Sequence, residues 1–167
     1  MTRPWSIRAA EVSDSAAIAA LIRLAFATQS RQTHPPPSAL KETEDTVRAH
    51  LEEGGGAVVD DGGVIVGAVL WNEEEGGLYI GRLSVHPDHR RLGIASALMH
   101  EAEREARRRG LTRLCLGVRL VLDDNRRFFA AHGFTEITLH HHEGFTKPTW
   151  VTMERELPSP PKGERAG

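Results

Sequence analysis

The sequence has little cysteine, little excess charge and no long hydrophobic run among its 167 residues. Its single cysteine, Cys115, cannot form a disulfide within the chain, and it excludes a zinc site built from several cysteines. The 21 Lys and Arg residues nearly balance the 23 Asp and Glu residues, unlike the strongly basic composition of general nucleic-acid-binding proteins. We therefore expect a protein of a reducing, cytoplasmic compartment with no nucleic-acid partner.

Hydrophobic segments are all too short to cross a membrane. The longest, such as 64–71, are strand-sized, whereas a spanning helix needs roughly 20 apolar residues. The first residues also lack the apolar segment of a secretory signal, so no membrane association is expected. The last ten residues, 158–167, lack apolar anchors and are expected to be a disordered tail, which leaves 1–157 as a single domain.

Periodic hydrophobic patterns and turn residues predict eleven elements in the order βααβββαβαββ. Helices are predicted from the capping residues 12–15 to about 29, and at 43–52, 94–109 and 125–132. Strands are predicted at 7–10, 57–59, 64–71, 78–85, 111–118, 135–140 and 150–157. This order predicts an α/β fold with a mixed, mostly antiparallel central sheet and helices on both faces.

The helix at 94–109 has the clearest pattern. One face carries Ile94, Leu98, Met99, Ala102 and Ala106, and the remaining positions are mostly charged. Glu103 with Arg107, and Glu105 with Arg109, have the i,i+4 spacing and orientation of favourable ion pairs. The acidic segment 72–77 before the strand at 78–85 is predicted to be a turn.

The segment 82–99 carries the main chemical information. A strand ends at Val85, and a loop with two arginines, Arg90 and Arg91, leads directly into the helix at 94–109. The first amides of a helix have no internal acceptor, and Gly93 and Ala95 allow a ligand to approach the backbone. The loop therefore suits a diphosphate, although it is neither a P-loop nor a dinucleotide-binding motif.

This segment resembles a known family. Arg90-x-x-Gly93-x-Ala95 resembles the Arg/Gln-x-x-Gly-x-Gly/Ala motif of the GNAT superfamily of acyl-CoA-dependent N-acetyltransferases. The preceding residues 83–87 resemble the end of that family's motif strand, and 125–134 resembles its later Asn…Phe/Tyr-Tyr-x-x-x-Gly-Phe segment. The two motifs have the separation expected for the family, and the resemblance covers most of 6–157.

The resemblance implies a site for acetyl-CoA, the acyl donor substrate, in a cleft between two splayed strands. Backbone groups of Leu83 and Val85 would hold the pantetheine arm and polarise the thioester. Residues of the loop and helix start would bind the diphosphate: Arg90, Arg91, Leu92, Gly93, Ile94, Ala95 and Ser96. Asn125, with Phe128 or Phe129, would line the other side of the cofactor slot. A primary amine would then attack the thioester directly.

One departure affects the chemistry. Many relatives carry a tyrosine at the position of Phe129, where it can protonate the leaving thiolate, and phenylalanine has no such proton. Another group or water could serve as the acid, or the thiolate could leave unassisted, since a thiol pKa near ~8.5 makes it a fair leaving group. The alternative is a noncatalytic module that binds acyl-CoA. A nucleotide-binding regulator is a third hypothesis.

Several residues are candidates for the general base that deprotonates the amine. They are Tyr79, the acidic turn with Glu75, His86 and the cluster 140–143, and the sequence does not choose among them. Consecutive histidines on a strand alternate between its faces, so that cluster does not predict a metal site. The acceptor amine also stays open, as does the oligomeric state, for which a homodimer is one alternative. Specificity is expected in the segments 29–41 and 140–149.

Overall fold

The computed structural model describes residues 5–158, which form seven strands and four α-helices. The strands are β1 (Ser6–Ala9), β2 (Gly56–Asp61), β3 (Val64–Glu74), β4 (Gly77–Val85), β5 (Arg113–Arg119), β6 (Thr135–His140) and β7 (Trp150–Glu156). The helices are α1 (Ser15–Ala27), α2 (Glu44–Glu53), α3 (Ile94–Arg108) and α4 (Asp123–Ala131). This is the predicted order. The patterns did not predict three short 3-10 turns at Val12–Asp14, Ser38–Lys41 and Pro87–His89.

The strands form one sheet in the order β1-β2-β3-β4-β5-β7-β6. Neighbouring strands are antiparallel except β4 and β5, which run parallel. The predicted mixed, mostly antiparallel α/β class is therefore confirmed. Because parallel neighbours need a crossover connection, α3 links β4 to β5, and its N-terminus follows closely on the end of β4.

Helices pack on both faces of the sheet, as predicted. Helices α1 and α2 share a buried cluster with β2 and β3, in which Ile18, Ile22 and Val47 are fully buried. Helices α3 and α4 share a larger cluster with the opposite face. The predicted inward residues of α3 are all buried: Ile94, Leu98, Met99, Ala102 and Ala106. The predicted ion pairs of α3 form, Glu103 with Arg107 and Glu105 with Arg109.

The acidic hairpin is tighter than the predicted turn at 72–77. Strand β3 continues through Glu74, and a two-residue turn, Glu75 and Gly76, joins it to β4. Both turn residues have positive φ, 47° and 81°, as such short hairpin turns require. The carboxylates of this segment therefore project from a paired hairpin and not from a loose loop.

Strand β5 begins at Arg113, two residues later than predicted. Gly110, with φ 73°, ends α3 in the left-handed conformation, and its N–H donates to the Arg107 carbonyl. The N–H of Leu111 donates to the Ala106 carbonyl at 2.9 Å. These two bonds form a Schellman motif, so the Leu111 amide caps the helix and cannot join the strand ladder.

Within the described residues 5–158, no helix is both long and apolar enough to cross a membrane. The predicted disordered tail lies, apart from its first residue, outside the described residues. The division into one domain at 1–157 and a tail stays a prediction.

Candidate active site

Strands β4 and β5 are paired only near their beginnings. Their parallel ladder ends at the pair Tyr79 and Cys115, although β4 continues to Val85 and β5 to Arg119. The register between β3 and β4 shifts in the same region, so that Arg82 of β4 stands in a bulge with φ 54°. A bulge bends its strand and increases the local twist, so β4 turns away from β5. Two splayed strands are the result.

A cleft of about 710 Å³ opens between the separated strands, and we call it the large cleft. The C-terminal part of α1, the start of α3, the start of α4 and the β6–β7 connection (residues 141–149) complete its walls. Its described lining holds four arginines and one aspartate: Arg82, Arg90, Arg91, Arg119 and Asp124. This excess of positive charge favours a ligand that carries several negative charges.

The start of α3 presents unused backbone donors beside this cleft. Gly93 is the N-cap residue, with φ 81° and no side chain to cap the helix. The first hydrogen bond of the helix runs from the Ala97 N–H to the Gly93 carbonyl at 3.0 Å, so the three preceding amides, at 94–96, have no acceptor within the helix. Together with the helix dipole, they form a site suited to phosphate.

The predicted cofactor residues gather around this cleft. Eight of them line it: Leu83, Val85, Arg90, Arg91, Ala95, Asn125, Phe128 and Phe129. The other four lie at the start of α3. Leu92 is exposed, Gly93 caps the helix, and the Ile94 side chain is buried in the core, which leaves only its backbone for a ligand. The Ser96 hydroxyl lies 3.1 Å from Nε2 of His132.

The side chain of Arg90 is held by α1. Its guanidinium donates to the carbonyls of Thr28 and Ala25 and, at 3.0 Å, to the Thr28 hydroxyl. These acceptors lie at the C-terminal end of α1, where carbonyls lack helical partners and a positive charge is favourable. Arg90 therefore joins the α3 loop to α1 while it lines the cleft.

Phe128 and Phe129 occupy different environments. Phe129 is buried and packs edge-to-face on Phe134 in the core, although it also reaches the cleft wall. Phe128 is half-buried, and its ring lies 4.6 Å from that of His132, centroid to centroid. Neither ring can donate a proton. Any side chain that protonates a leaving group in this cleft would have to be a different residue.

Tyr79 lies where the two strands part. A Cβ atom added at Gly117 of β5 would lie 3.2 Å from the Tyr79 hydroxyl and 3.1 Å from the ring of Trp150. The glycine thus leaves room for both side chains to cross the β5 backbone. Burial raises the pKa of Tyr79 above its ordinary value, and the Glu74 carboxylate adds to this effect. At neutral pH the phenol is therefore protonated and can donate a hydrogen bond.

A second cavity of about 370 Å³, the side cavity, shares Tyr79 and Trp150 with the large cleft. Its other described lining residues are Glu74, Glu75, Arg113, Cys115, Thr152 and Glu154. Three carboxylates against one guanidinium give this cavity the opposite charge to the large cleft. The two cavities therefore meet at two aromatic side chains, with positive charge on one side and negative charge on the other.

The four predicted candidates for the general base separate in space. Tyr79 lines both cavities, Glu75 lines only the side cavity, and His86 lines neither among the described residues. Of the cluster 140–143, His142 lines the large cleft, and the other three residues line neither described cavity. His86 lies in the loop before α3, where its Nδ1 accepts a hydrogen bond from the Asp88 N–H at 3.1 Å. Cys115 is buried, and burial raises the pKa of its thiol.

Two arginines connect the splayed strands to the α1–α2 connection (residues 28–43). Arg82 of β4 donates to the Glu42 carboxylate at 2.7 Å and to the Ser38 hydroxyl at 3.2 Å. Arg119 of β5 donates to the Pro35 carbonyl at 2.6 Å. Burial by itself would raise the pKa of Glu42, but hydrogen bonds from Thr46 and Arg82 outweigh it and hold the pKa below its ordinary value. The connection is thus fixed over the cleft.

Sequence reasoning gave no role to Trp150 or Arg119, which both line the large cleft. They stand opposite each other in the antiparallel ladder of β5 and β7. The Trp150 ring also stacks on His140, with centroids 3.9 Å apart. Trp150 could have been noticed as an aromatic residue at the start of a predicted strand. Its position beside Tyr79, however, depends on the order of the strands in the sheet. The predicted specificity segments do contribute lining residues, Gln29 and His142 among them.

No group of three or more His, Cys, Asp or Glu side chains within the described residues is arranged to hold a metal ion. Of the histidine cluster, His140 Nε2 lies 2.7 Å from the Thr152 hydroxyl, and His142 Nδ1 lies 2.5 Å from that of Thr149. These ring nitrogens therefore have protein partners.

Solved structures share this fold. The ribosomal-protein-S18-alanine N-acetyltransferase from Escherichia coli superposes with a TM-score of 0.77 at 19% identity, covering 97% of this chain and 99% of its own. yncA from Salmonella typhimurium, solved with its cofactor acetyl-CoA, gives 0.72 at 20% identity, covering 95% and 97%. The PaiA N-acetyltransferase from Thermoplasma acidophilum, solved in complex with coenzyme A, gives 0.73 at 15% identity, covering 94% and 100%.

No functionally curated protein is similar enough to be matched by sequence. The sequence model of the acetyltransferase (GNAT) family, however, matches residues 18–134, which is more than half of the chain. This match includes β4, β5, the loop before α3 and the whole of α4, which contribute much of the lining of the large cleft. The chain therefore belongs to the GNAT family and is an acetyltransferase, an enzyme of acetyl-CoA-dependent acetyl transfer.

Proposed function

We propose that this enzyme transfers an acetyl group from acetyl-CoA to a primary amine, which attacks the thioester directly. The observation that carries this proposal is the division of charge between the two cavities. An arginine-lined cleft suits the phosphates of coenzyme A, and a carboxylate-lined cavity suits an ammonium group. The two meet at Tyr79 and Trp150, where the acetyl group and the amine would come together.

The donor would lie in the large cleft. Its diphosphate would accept hydrogen bonds from the amides at 94–96 and from neighbouring amides of the loop, which are free of helical partners. Its pantetheine arm would run along β4 beside Leu83 and Val85, towards the point where the strands part. Asn125 and Phe128 would cover the other side. The charge and the free donors of the cleft fit such a ligand.

Backbone donors of β4 would stabilise the transition state. Attack of an amine on a thioester places negative charge on the carbonyl oxygen, and a fixed N–H aimed at that oxygen contributes roughly 3 kcal/mol in acyl-transfer enzymes. The bulge at Arg82 disrupts the regular ladder next to Leu83. Backbone groups there can face the cleft instead of a neighbouring strand. No covalent intermediate with the enzyme is required.

The acceptor would approach from the side cavity. Glu74, Glu75 and Glu154 would attract a protonated amine, and the Trp150 ring adds an aromatic wall on which a cation can rest. After the attack, the C–S bond breaks and the thiolate takes up a proton. Tyr79 is protonated and lies at the junction, so we assign to it the donation that Phe129 cannot make.

Phe129 favours a second function, the binding of an acyl-CoA without catalysis. Without a proton donor at position 129, the protein could bind an acyl-CoA and not turn it over. The two functions differ in one observable, the release of free thiol.

The test mixes the protein with acetyl-CoA and a panel of amines and follows free thiol. The panel includes a monoamine, a diamine, an amino acid and a peptide with N-terminal alanine, since one structurally similar protein is named for that reaction. We expect amine-dependent thiol release, fastest for acceptors with a second positive charge. Tight coenzyme A binding with no thiol release from any amine would favour the binding module.

A further inference from the structure

We propose that His142 is the general base that removes a proton from the acceptor amine. This inference rests on the proposed function, to which it adds a residue outside the family motifs. His142 belongs to the β6–β7 connection and lines the large cleft. Its ring centroid lies 6.5 Å from that of Trp150, which borders both cavities. The imidazole therefore stands close to the junction through which the amine would enter.

The ring is held by the other end of its own connection. The Thr149 hydroxyl accepts a hydrogen bond from the His142 backbone N–H at 3.0 Å and lies 2.5 Å from the ring nitrogen Nδ1. A hydroxyl oxygen can accept two hydrogen bonds. In the arrangement that we propose, Nδ1–H donates to this oxygen, which leaves the lone pair on Nε2 to accept a proton from the amine.

The surroundings of His142 favour its neutral form. Arg119 of β5 is the charged group that acts on it. Tyr79 and Arg82 of β4 line the same cleft, and His140, at the end of β6, stacks on the Trp150 ring that His142 also approaches. Partial burial and the positive charge of Arg119 lower the pKa of His142 below its ordinary value. A histidine with a lowered pKa is uncharged at pH 7 and is ready to accept a proton.

The other titratable groups of the large cleft are poorly suited to this role. Tyr79 is protonated at neutral pH because its pKa is raised. Asp124 lies in the first turn of α4, where it is exposed and paired with Arg127. The arginines have no free lone pair at neutral pH. In this proposal the carboxylates of the side cavity bind the amine in its charged form, and a separate base then deprotonates it.

The proton transfers balance as follows. Nε2 of His142 takes one proton from the ammonium, and the free nitrogen lone pair forms the C–N bond to the acetyl carbon. The C–S bond then breaks, its electron pair stays on sulfur, and the nitrogen loses its second proton as the amide forms. Tyr79 protonates the thiolate and recovers that second proton, while His142 returns the first one to water. The products are the acetylated amine, coenzyme A and one proton.

The test compares two acceptors whose amine pKa values differ. If a general base acts, the fall in rate at low pH follows the pKa of that base; if none acts, it follows the pKa of the amine. In the wild type, kcat/KM for both acceptors should fall as the pH drops through the same pKa, that of His142 in the free enzyme. In His142→Ala the fall should instead follow the pKa of each amine, because only an amine that is already neutral can react.

The matched control is His141→Ala. His141 is the neighbouring histidine, is exposed and does not line either described cavity. We expect His142→Ala to lower kcat/KM at neutral pH by about 100-fold, a typical effect of losing a general base, and His141→Ala to leave it unchanged. Added imidazole should partly restore His142→Ala. The KM for acetyl-CoA and the melting temperature should stay close to the wild-type values.

Retention of the wild-type profile by His142→Ala, or an equal loss in His141→Ala, would overturn the assignment of the base while leaving the acetyltransferase function intact. A wild-type protein that releases no thiol with any amine would overturn the proposed function, and the base with it. The two failures are thus told apart by the wild-type rate.

Discussion

The substitution Gly93→Ala tests whether coenzyme A binds at the start of α3. Gly93 has φ 81°, which an L-residue adopts only at a cost of roughly 1–2 kcal/mol. A Cβ atom added there would meet no described heavy atom within 4 Å beyond the adjoining residues. In the free protein, the substitution should therefore cost strain but cause no collision. In the proposed complex, the new methyl group would stand where the diphosphate approaches the amides.

These two effects have different sizes. The strain should lower the melting temperature by roughly 2–8 °C, since 1 kcal/mol corresponds to about 2–4 °C in a chain of this length. Loss of one hydrogen bond to a charged phosphate would add about 1.5–3 kcal/mol to the binding free energy. That change corresponds to coenzyme A binding weakened by about 10- to 150-fold.

Gly110→Ala is the matched control. Gly110 lies at the opposite end of α3 with φ 73°, and a Cβ atom there would likewise meet nothing within 4 Å in the described structure. Calorimetric titration with coenzyme A and thermal melting should show a similar loss of stability in both variants, but weaker binding only in Gly93→Ala. Unchanged affinity in Gly93→Ala would refute the placement of the diphosphate. An equal loss of affinity in Gly110→Ala would show that helix distortion is responsible.

Four further outcomes are expected. Tyr79→Phe should lower kcat about 100-fold, and a wild-type rate in this variant would show that Tyr79 has no catalytic role. Because the pKa of Tyr79 is raised, the activity of the wild type should decline only above about pH 10. Phe129→Tyr should raise kcat in the thiol-release assay by supplying a second acid near the thiolate, and an unchanged kcat would show that this step is not limiting. Glu42→Gln should lower the free energy of unfolding by about 2 kcal/mol by weakening the hydrogen bond from Arg82. The pKa of Glu42 is lowered in the folded protein, so that difference should be complete above about pH 4.3 and should vanish as the pH falls through the folded-state pKa, which denaturation at several pH values would check. Glu154→Gln should raise the KM of cationic acceptors about 2- to 5-fold, less at high salt, without changing the KM for acetyl-CoA; an equal effect on a neutral acceptor would contradict a charge effect.

The order of the elements could be predicted from the sequence because it depends on local patterns. The period of apolar residues in α3 identifies its buried face without knowledge of the sheet. The proposed diphosphate site could be inferred from the sequence for the same reason, since strand end, arginines, Gly93 and helix start follow one another directly. The start of β5 was harder to predict, because the Leu111 amide could donate a hydrogen bond either within a strand or at the end of a helix. In the structure it belongs to the Schellman motif that ends α3.

The junction of the two cavities could not be predicted in the same way. Tyr79, Gly117 and Trp150 are far apart in sequence, and they meet only because β7 inserts between β5 and β6 in the sheet. His86 was a reasonable candidate from its place near the motif, but the loop before α3 carries it outside both described cavities. Which side of a loop a residue faces depends on packing that no local pattern records.

The opposite charges of the two cavities also bear on how the reaction ends. Under the proposed function, an ammonium group would enter the side cavity as a cation, whereas the amide that replaces it is neutral. The chemical step therefore removes the electrostatic attraction to the carboxylates of Glu74, Glu75 and Glu154. Coenzyme A would keep its phosphates and its attraction to the arginines of the large cleft. Under the proposed function, the acetylated amine should therefore dissociate first, and it should be a weak inhibitor compared with coenzyme A.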